Sequence, residues 1–246
     1  MAEKRRKYIG VLMGDSEVGP IKEPQLIVRW GQFIVRYGGV LKSKYLGHAV
    51  NGYLENGGQK CYVVNMGNGG IEDYIEVLDA LDAEGIAYVA APGITDPDIQ
   101  EVLLEHCEKH VNMIAILDLP EEFEKGEEDK DMDIEEVLPV SRASDYRLCF
   151  YPWLLVRDYN VGELYVPPSG HAMGVMVRNA IKQRTLNPEL QRSEESKVEG
   201  TIKAKYNIEG ELLEHLASND VKVISYDNDL GIGIYPKKEN EQANTA

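Results

Sequence analysis

A mixed, mostly parallel α/β fold with helices on both faces of the sheet is predicted for this chain, and three observations predict it. Short apolar runs alternate with amphipathic segments of about a dozen residues, the length of a crossover between parallel strands. The runs are apolar nearly throughout, as in strands buried on both faces. Gly and Pro punctuate the junctions between them. Strand, helix and strand in that order imply right-handed βαβ units.

The elements follow in order along the chain. Tyr8 to Met13 is an apolar strand that closes in the loop Gly14 to Pro20. Trp30, Phe33, Ile34 and Tyr37 recur at three- and four-residue spacing and mark one helical face, stopped by Gly38-Gly39. Leu46, Val50, Tyr53 and Leu54 form the stripe of a helix over Tyr45 to Glu55, which ends at Gly57-Gly58. Cys61 to Asn65 is a strand. Beyond the turn Gly67 to Gly70, the stripe Ile71, Tyr74, Ile75, Leu78 and Leu81 makes a helix. Ile86 to Ala91 is a strand closing at Pro92-Gly93, Pro97 to His110 a helix with Asp96 as N-cap, and Met113 to Leu117 another strand.

Leu148 to Val156 reads as a buried strand that ends or bends at Tyr151-Pro152-Trp153, because proline has no N–H for the ladder. Val166-Pro167-Pro168-Ser169-Gly170-His171 then leads into a helix, with Ser169 as its cap and His171 in its first turn. Ala180 to Gly200 is polar and weakly periodic and is expected to be an extended surface segment. Glu209 to Ser218 is a helix, and Val221 to Ser225 with Gly231 to Tyr235 form a hairpin around Asp227-Asn228-Asp229. The domain organisation is a basic segment at 1–7, one α/β domain over 8–236 with an acidic insertion at 119–141, and a polar tail at 237–246.

The formal net charge of -16 argues against nucleic acid, which needs a cationic surface. Glu121 to Glu136 holds ten carboxylates against Lys125 and Lys130 and reads as a solvated loop. If it limits association by repulsion, raised salt promotes assembly by screening, and light scattering is expected to rise with ionic strength. Cys61, Cys107 and Cys149 are odd in number and far apart, as for buried free thiols in a reducing compartment. With no long apolar stretch and no signal-peptide pattern, a soluble chain that is cytoplasmic when made, without membrane insertion, is expected.

Candidate chemistry is sparse. Gly14 to Gly19 follows a strand, but it lacks the Gly-Lys-Ser/Thr of a phosphate loop, and Asp15 and Glu17 would repel a phosphate. Gly67-Asn68-Gly69-Gly70 before a helix is a better cradle, though a plain strand-to-helix turn explains it. His106 and His110 have the spacing of a metal pair, yet Cys107 stands where a metalloprotease motif places Glu, and a surface helix with two histidines is the simpler reading. Ser169 and His171 lack the Gly-x-Ser-x-Gly elbow and an orienting acid. No catalytic residue, metal ligand or cofactor is assigned, and a structural protein is expected in place of an enzyme.

The order of landmarks resembles the tail sheath proteins of contractile phages and contractile injection systems. These landmarks are Tyr8 to Pro20, Trp30-Gly31-Gln32-Phe33 with Tyr37-Gly38-Gly39, Tyr45 to Gly58, Cys61 to Val64 and Ala90-Ala91-Pro92-Gly93. Ile116-Leu117-Asp118, Tyr151-Pro152-Trp153 and Val166 to His171 complete the series. The resemblance implies a sheath-protein core domain, sometimes called subtilisin-like but without protease activity. It implies helical self-assembly around an inner tube, with the tube protein and baseplate or cap proteins of a phage tail or tail-like particle as further partners.

In that family an N-terminal arm and a C-terminal domain add strands to neighbouring subunits. Here seven residues precede Tyr8, and Lys237 to Ala246 stands where the domain is expected. Tyr8, Ile9, Ile232, Ile234 and Tyr235, at the two ends of the domain, are the expected assembly contacts, and Tyr151, Pro152, Trp153, Pro167, Pro168, Ser169, Gly170 and His171 the structural motif. A sheath-derived adaptor or cap that does not polymerise is the alternative, and a small-ligand enzyme using the Gly67 to Gly70 turn a weaker one.

Overall fold

Six parallel strands make the middle of the sheet in the computed structural model, which describes residues 8–81, 84–110, 112–122 and 144–236. They are β1 (Ile9–Gly14), β3 (Cys61–Asn65), β4 (Ile86–Ala90), β5 (Ile114–Asp118), β6 (Arg147–Tyr151) and β10 (Val221–Asp227). The edges are antiparallel: β2 (Gln25–Ile27) pairs with β3, and β11 (Gly231–Ile234) with β10. The full order is β11-β10-β6-β5-β4-β1-β3-β2. The segments 1–7 and 237–246, and the acidic insertion from 123 onward, lie outside the described residues.

Helices cover both faces. On one lie α1 (Trp30–Tyr37), α2 (Leu46–Glu55) and α5 (Ser169–Gln183), where Phe33, Tyr53 and Met173 meet Leu12, Val63, Ile116 and Phe150. On the other lie α3 (Ile71–Asp79), α4 (Pro97–Lys109) and α6 (Gly210–Ser218), where Tyr74, Leu103 and Leu216 meet Val11, Met13, Leu117 and Cys149. Successive residues of one strand therefore serve opposite cores, which is why the strands read as unbroken apolar runs. Cys61, Cys107 and Cys149 are free and buried, and burial raises each thiol, to about 12 for Cys61 and Cys149.

Local chemistry sets the boundaries. Asp96 caps α4 by accepting from the N–H groups of Asp98 and Ile99 at 3.0 and 3.2 Å, and Pro97 sits where no intrahelical N–H is needed. α1 stops at Gly38, whose φ of 84° suits glycine. Inside α1, a Cβ on Gly31 would meet nothing within 4 Å. Gly31→Ala is therefore expected to stabilise the protein by about 0.5–1 kcal/mol, read as a higher urea midpoint.

Several expectations are corrected. Leu148 to Val156 is two strands in two sheets: β6 ends at Tyr151, and after Pro152 the chain enters β7 (Leu154–Asp158). That strand is the middle of a small sheet with β8 (Gly162–Val166) and β9 (Lys203–Ala204). Ala180 to Gly200 is not simply extended. α5 runs on to Gln183, and Arg178 and Asn179 then hold the carbonyl of Glu195, at 2.7 Å from each residue's terminal nitrogen. Val198 and Ser196 are buried beneath. Ile34 and Ile75, predicted to face the core, are exposed.

Candidate functional site

In a doubly wound sheet the ligand position is the crevice at the strand carboxyl ends, where the connections turn opposite ways. Here the chain leaves β1 toward β3 and leaves β4 toward β5, so that place lies beside Gly14 and Gly93. Side chains occupy it. The Tyr45 ring lies where a Cβ on Gly93 would approach it at 2.5 Å, and Leu46 packs on Gly14. The ring of Trp153 stands edge-on to Tyr45 at 5.1 Å, and its indole N–H donates to the Leu119 carbonyl at 2.9 Å. Tyr45 is half-buried here, and Leu46 and Trp153 are buried.

Asp118, at the end of β5, is the polar centre of this end of the sheet. Its carboxylate accepts from the Ser169 N–H at 2.8 Å, the Ser169 hydroxyl at 2.6 Å and the Gly93 N–H at 3.0 Å. Burial pushes its pKa up to about 6, while the three donors oppose that rise. Ser169 is therefore not the side-chain cap of α5. Pro168 holds the cap position, and the capping acid comes from a distant strand. The hydroxyl of Ser169 donates to Asp118 and not to His171.

His171 points the other way, into the seam between α2 and α5. A Cβ on Gly52 would lie 2.4 Å from the His171 ring, one on Gly170 would lie 2.4 Å from Ala49 Cα, and one on Gly174 would lie 2.5 Å from the Tyr53 carbonyl oxygen. Burial, helped by His48, pushes the His171 pKa down to about 4. An unfolded histidine titrates near 6.5, so stability present above that pH is lost as pH falls toward 4. His171→Leu is expected to remove this acid-side loss, so its urea midpoint should rise relative to wild type as pH falls from 7 to 5.

The remaining candidates resolve as structure. In the Gly67 to Gly70 turn, the Gly67 N–H donates to Asn65 Oδ1 at 3.1 Å, Gly69 to the Met66 carbonyl at 3.0 Å and Gly70 to Asp73 Oδ2 at 2.8 Å. Backbone groups that could cradle a phosphate are thus committed. His106 is buried, contrary to the surface reading, and its ring centroid lies 4.6 Å from that of His110. No group of three metal-ligating side chains occurs among the described residues.

No protein-family model and no characterised protein matches the sequence. Solved structures do. A chain of the anti-feeding prophage baseplate superposes with a TM-score of 0.68 at 14% identity, over 96% of this chain and 64% of that one. A chain of the contracted PVC sheath complex gives 0.65 at 18% identity, over 93% and 59%. The sheath tail protein of Listeria innocua gives 0.62 at 10% identity, over 95% and 69%. The chain has the sheath-protein fold. It spans 59 to 69% of the length of these chains.

Within this sheath fold, the sequence motif is a buried spine. Tyr151, Trp153, Ser169, Gly170 and His171 are all buried, with Pro152, Pro167 and Pro168 setting the turns between them. The expected assembly contacts separate. Tyr8 is buried, and Ile9 begins β1, which is paired on both sides by β3 and β4. Ile232 and Ile234 lie on an edge strand, but their side chains are buried, and the Val198 N–H already donates to the Ile232 carbonyl at 2.8 Å. Tyr235 is partly exposed beyond that strand. Of the acidic insertion, Glu121 and Glu122 are described, and both bond Lys205, at 2.7 and 2.8 Å. No described helix is long and apolar enough to cross a membrane.

Proposed function

We propose that this chain is a structural subunit of a contractile tail or injection-system sheath, which self-assembles helically around an inner tube. The observation that carries the reading is the sheath fold over 93 to 99% of the chain. The filled crevice beside Gly93 supports it, because a scaffold has no need of an open site there. The partners are further copies of the chain, the tube protein, and baseplate or cap proteins of the same particle. The neighbours include chains from baseplate structures as well as from a helical sheath, which favours a ring-forming adaptor as the second reading.

Sedimentation velocity over a wide concentration range, with and without tube protein, tests the proposal. A sheath subunit is expected to shift from monomer to large, polydisperse species, and an adaptor to stop at one discrete ring. A single monomer boundary throughout would overturn both.

A further inference from the structure

We propose that the loop Val18 to Ile21, strand β2 and the outer face of α1 form one half of a contact between copies, whose occupant is an acidic face of a second copy of this chain. The inference rests on the sheath-subunit reading. It starts from an apolar surface in the wrong place. Val18, Ile21, Leu26, Val28, Ile34 and Val35 are all exposed, Val35 at 88%. Single exposed apolar side chains are ordinary, but six within one short stretch of chain mark an interaction surface.

Hydrogen bonds join the three segments that carry these residues. The Arg36 guanidinium donates to the Gln25 side-chain oxygen. The Val28 N–H donates to Gln32 Oε1 at 3.0 Å, and the Val18 N–H to the Tyr37 carbonyl at 3.5 Å. Loop, strand and helix are thereby tied together. β2 is also an edge strand with one free side.

Charge selects the occupant. Lys22 to Lys44 carries five cations and one carboxylate, in a chain whose formal net charge is -16. Lys22 pairs with Asp73 and Glu76, and Lys44 with Asp15. Arg29, Arg36 and Lys42 are exposed and pair with no carboxylate among the described residues. A cationic patch facing its own image would oppose like charges, so a two-fold contact is disfavoured. A contact between this patch and an acidic face elsewhere on the next copy is heterologous, and it propagates into a ring or a filament.

The test uses Val35→Asp combined with Arg29→Glu. Both positions are exposed, so the melting curve should match wild type; should the pair melt early, Arg29→Glu alone carries the same test. Salt does not discriminate, because it screens the patch attraction and the net repulsion together. In sedimentation the variant is expected to need at least about tenfold more protein to assemble. Mixed at a small fraction with wild type, it should shorten the assemblies, because it still presents the acidic half and blocks further growth.

A variant that assembles as wild type does would overturn this interface while leaving the sheath reading intact. One that fails to assemble yet leaves wild-type lengths unchanged would overturn the heterologous assignment. Wild type that never assembles would sink both readings.

Discussion

Gly170→Val is expected to destabilise the protein by about 3 kcal/mol or more, the upper range for overpacking a core. The cause is the closeness of α2 and α5: even a bare Cβ at this position would lie 2.4 Å from Ala49 Cα and 2.5 Å from its carbonyl oxygen. These are backbone atoms of a buried helix, which cannot rotate away as a side-chain tip can. The helices would have to separate, opening the core around Tyr53, Met173 and Phe33. Urea unfolding monitored by circular dichroism reads the loss. Gly170→Ala should show a smaller loss in the same direction, whereas Gly31→Ala should gain stability; a neutral Gly170→Val would mean that the α2–α5 seam is looser than described.

Asp118→Ala is expected to be comparably severe, also about 3 kcal/mol or more. It strands the N–H of Gly93 and both the N–H and hydroxyl of Ser169, and each unsatisfied buried group costs about 1–3 kcal/mol. Asp118→Asn is subtler. The folded pKa of about 6 lies above the ordinary 3.8, so the stabilisation is complete below pH 3.8 and is lost as pH rises through 6. His171 has the opposite sign over nearly the same window, since its pKa is depressed to about 4. Each shift is worth on the order of 3 kcal/mol, so the two slopes largely cancel in the wild-type protein. Asp118→Asn should expose the acid-side loss due to His171, and His171→Leu should expose the opposite slope. Urea midpoints at pH 4, 5, 6 and 7 check this; parallel profiles for both variants would contradict it.

The parallel strands and most helices were legible in the sequence because burial on both faces leaves unbroken apolar runs such as Cys61 to Asn65 and Ile86 to Ala90. β2 was not legible, since its three residues owe their strand geometry to pairing with β3. The split at Pro152 was half visible: proline announced a break, but apolar residues on either side cannot say that the chain changes sheet. The segment after Gln183 looked like polar surface because its backbone carbonyls, not its side chains, are what Arg178 and Asn179 hold.

At the motif, the sequence suggested Ser169 as a cap and gave no hint of the acid that receives it. The available signal was Asp118 itself, a lone carboxylate closing the apolar run from Ile114 to Leu117. Tyr8 and Ile9 lie near the chain start, and position in sequence says nothing about position in a sheet: β1 is paired on both sides. The exposure of Ile34 was not legible for a related reason. Ile34 fits the helical stripe of Phe33 and Tyr37, and only the fold shows that it faces outward.

Electron microscopy of the purified chain at high concentration, alone and with tube protein, tests the sheath assignment most directly. Hollow cylinders or stacked rings with a regular axial repeat are expected. A field of isolated monomer-sized particles under both conditions would contradict the assignment.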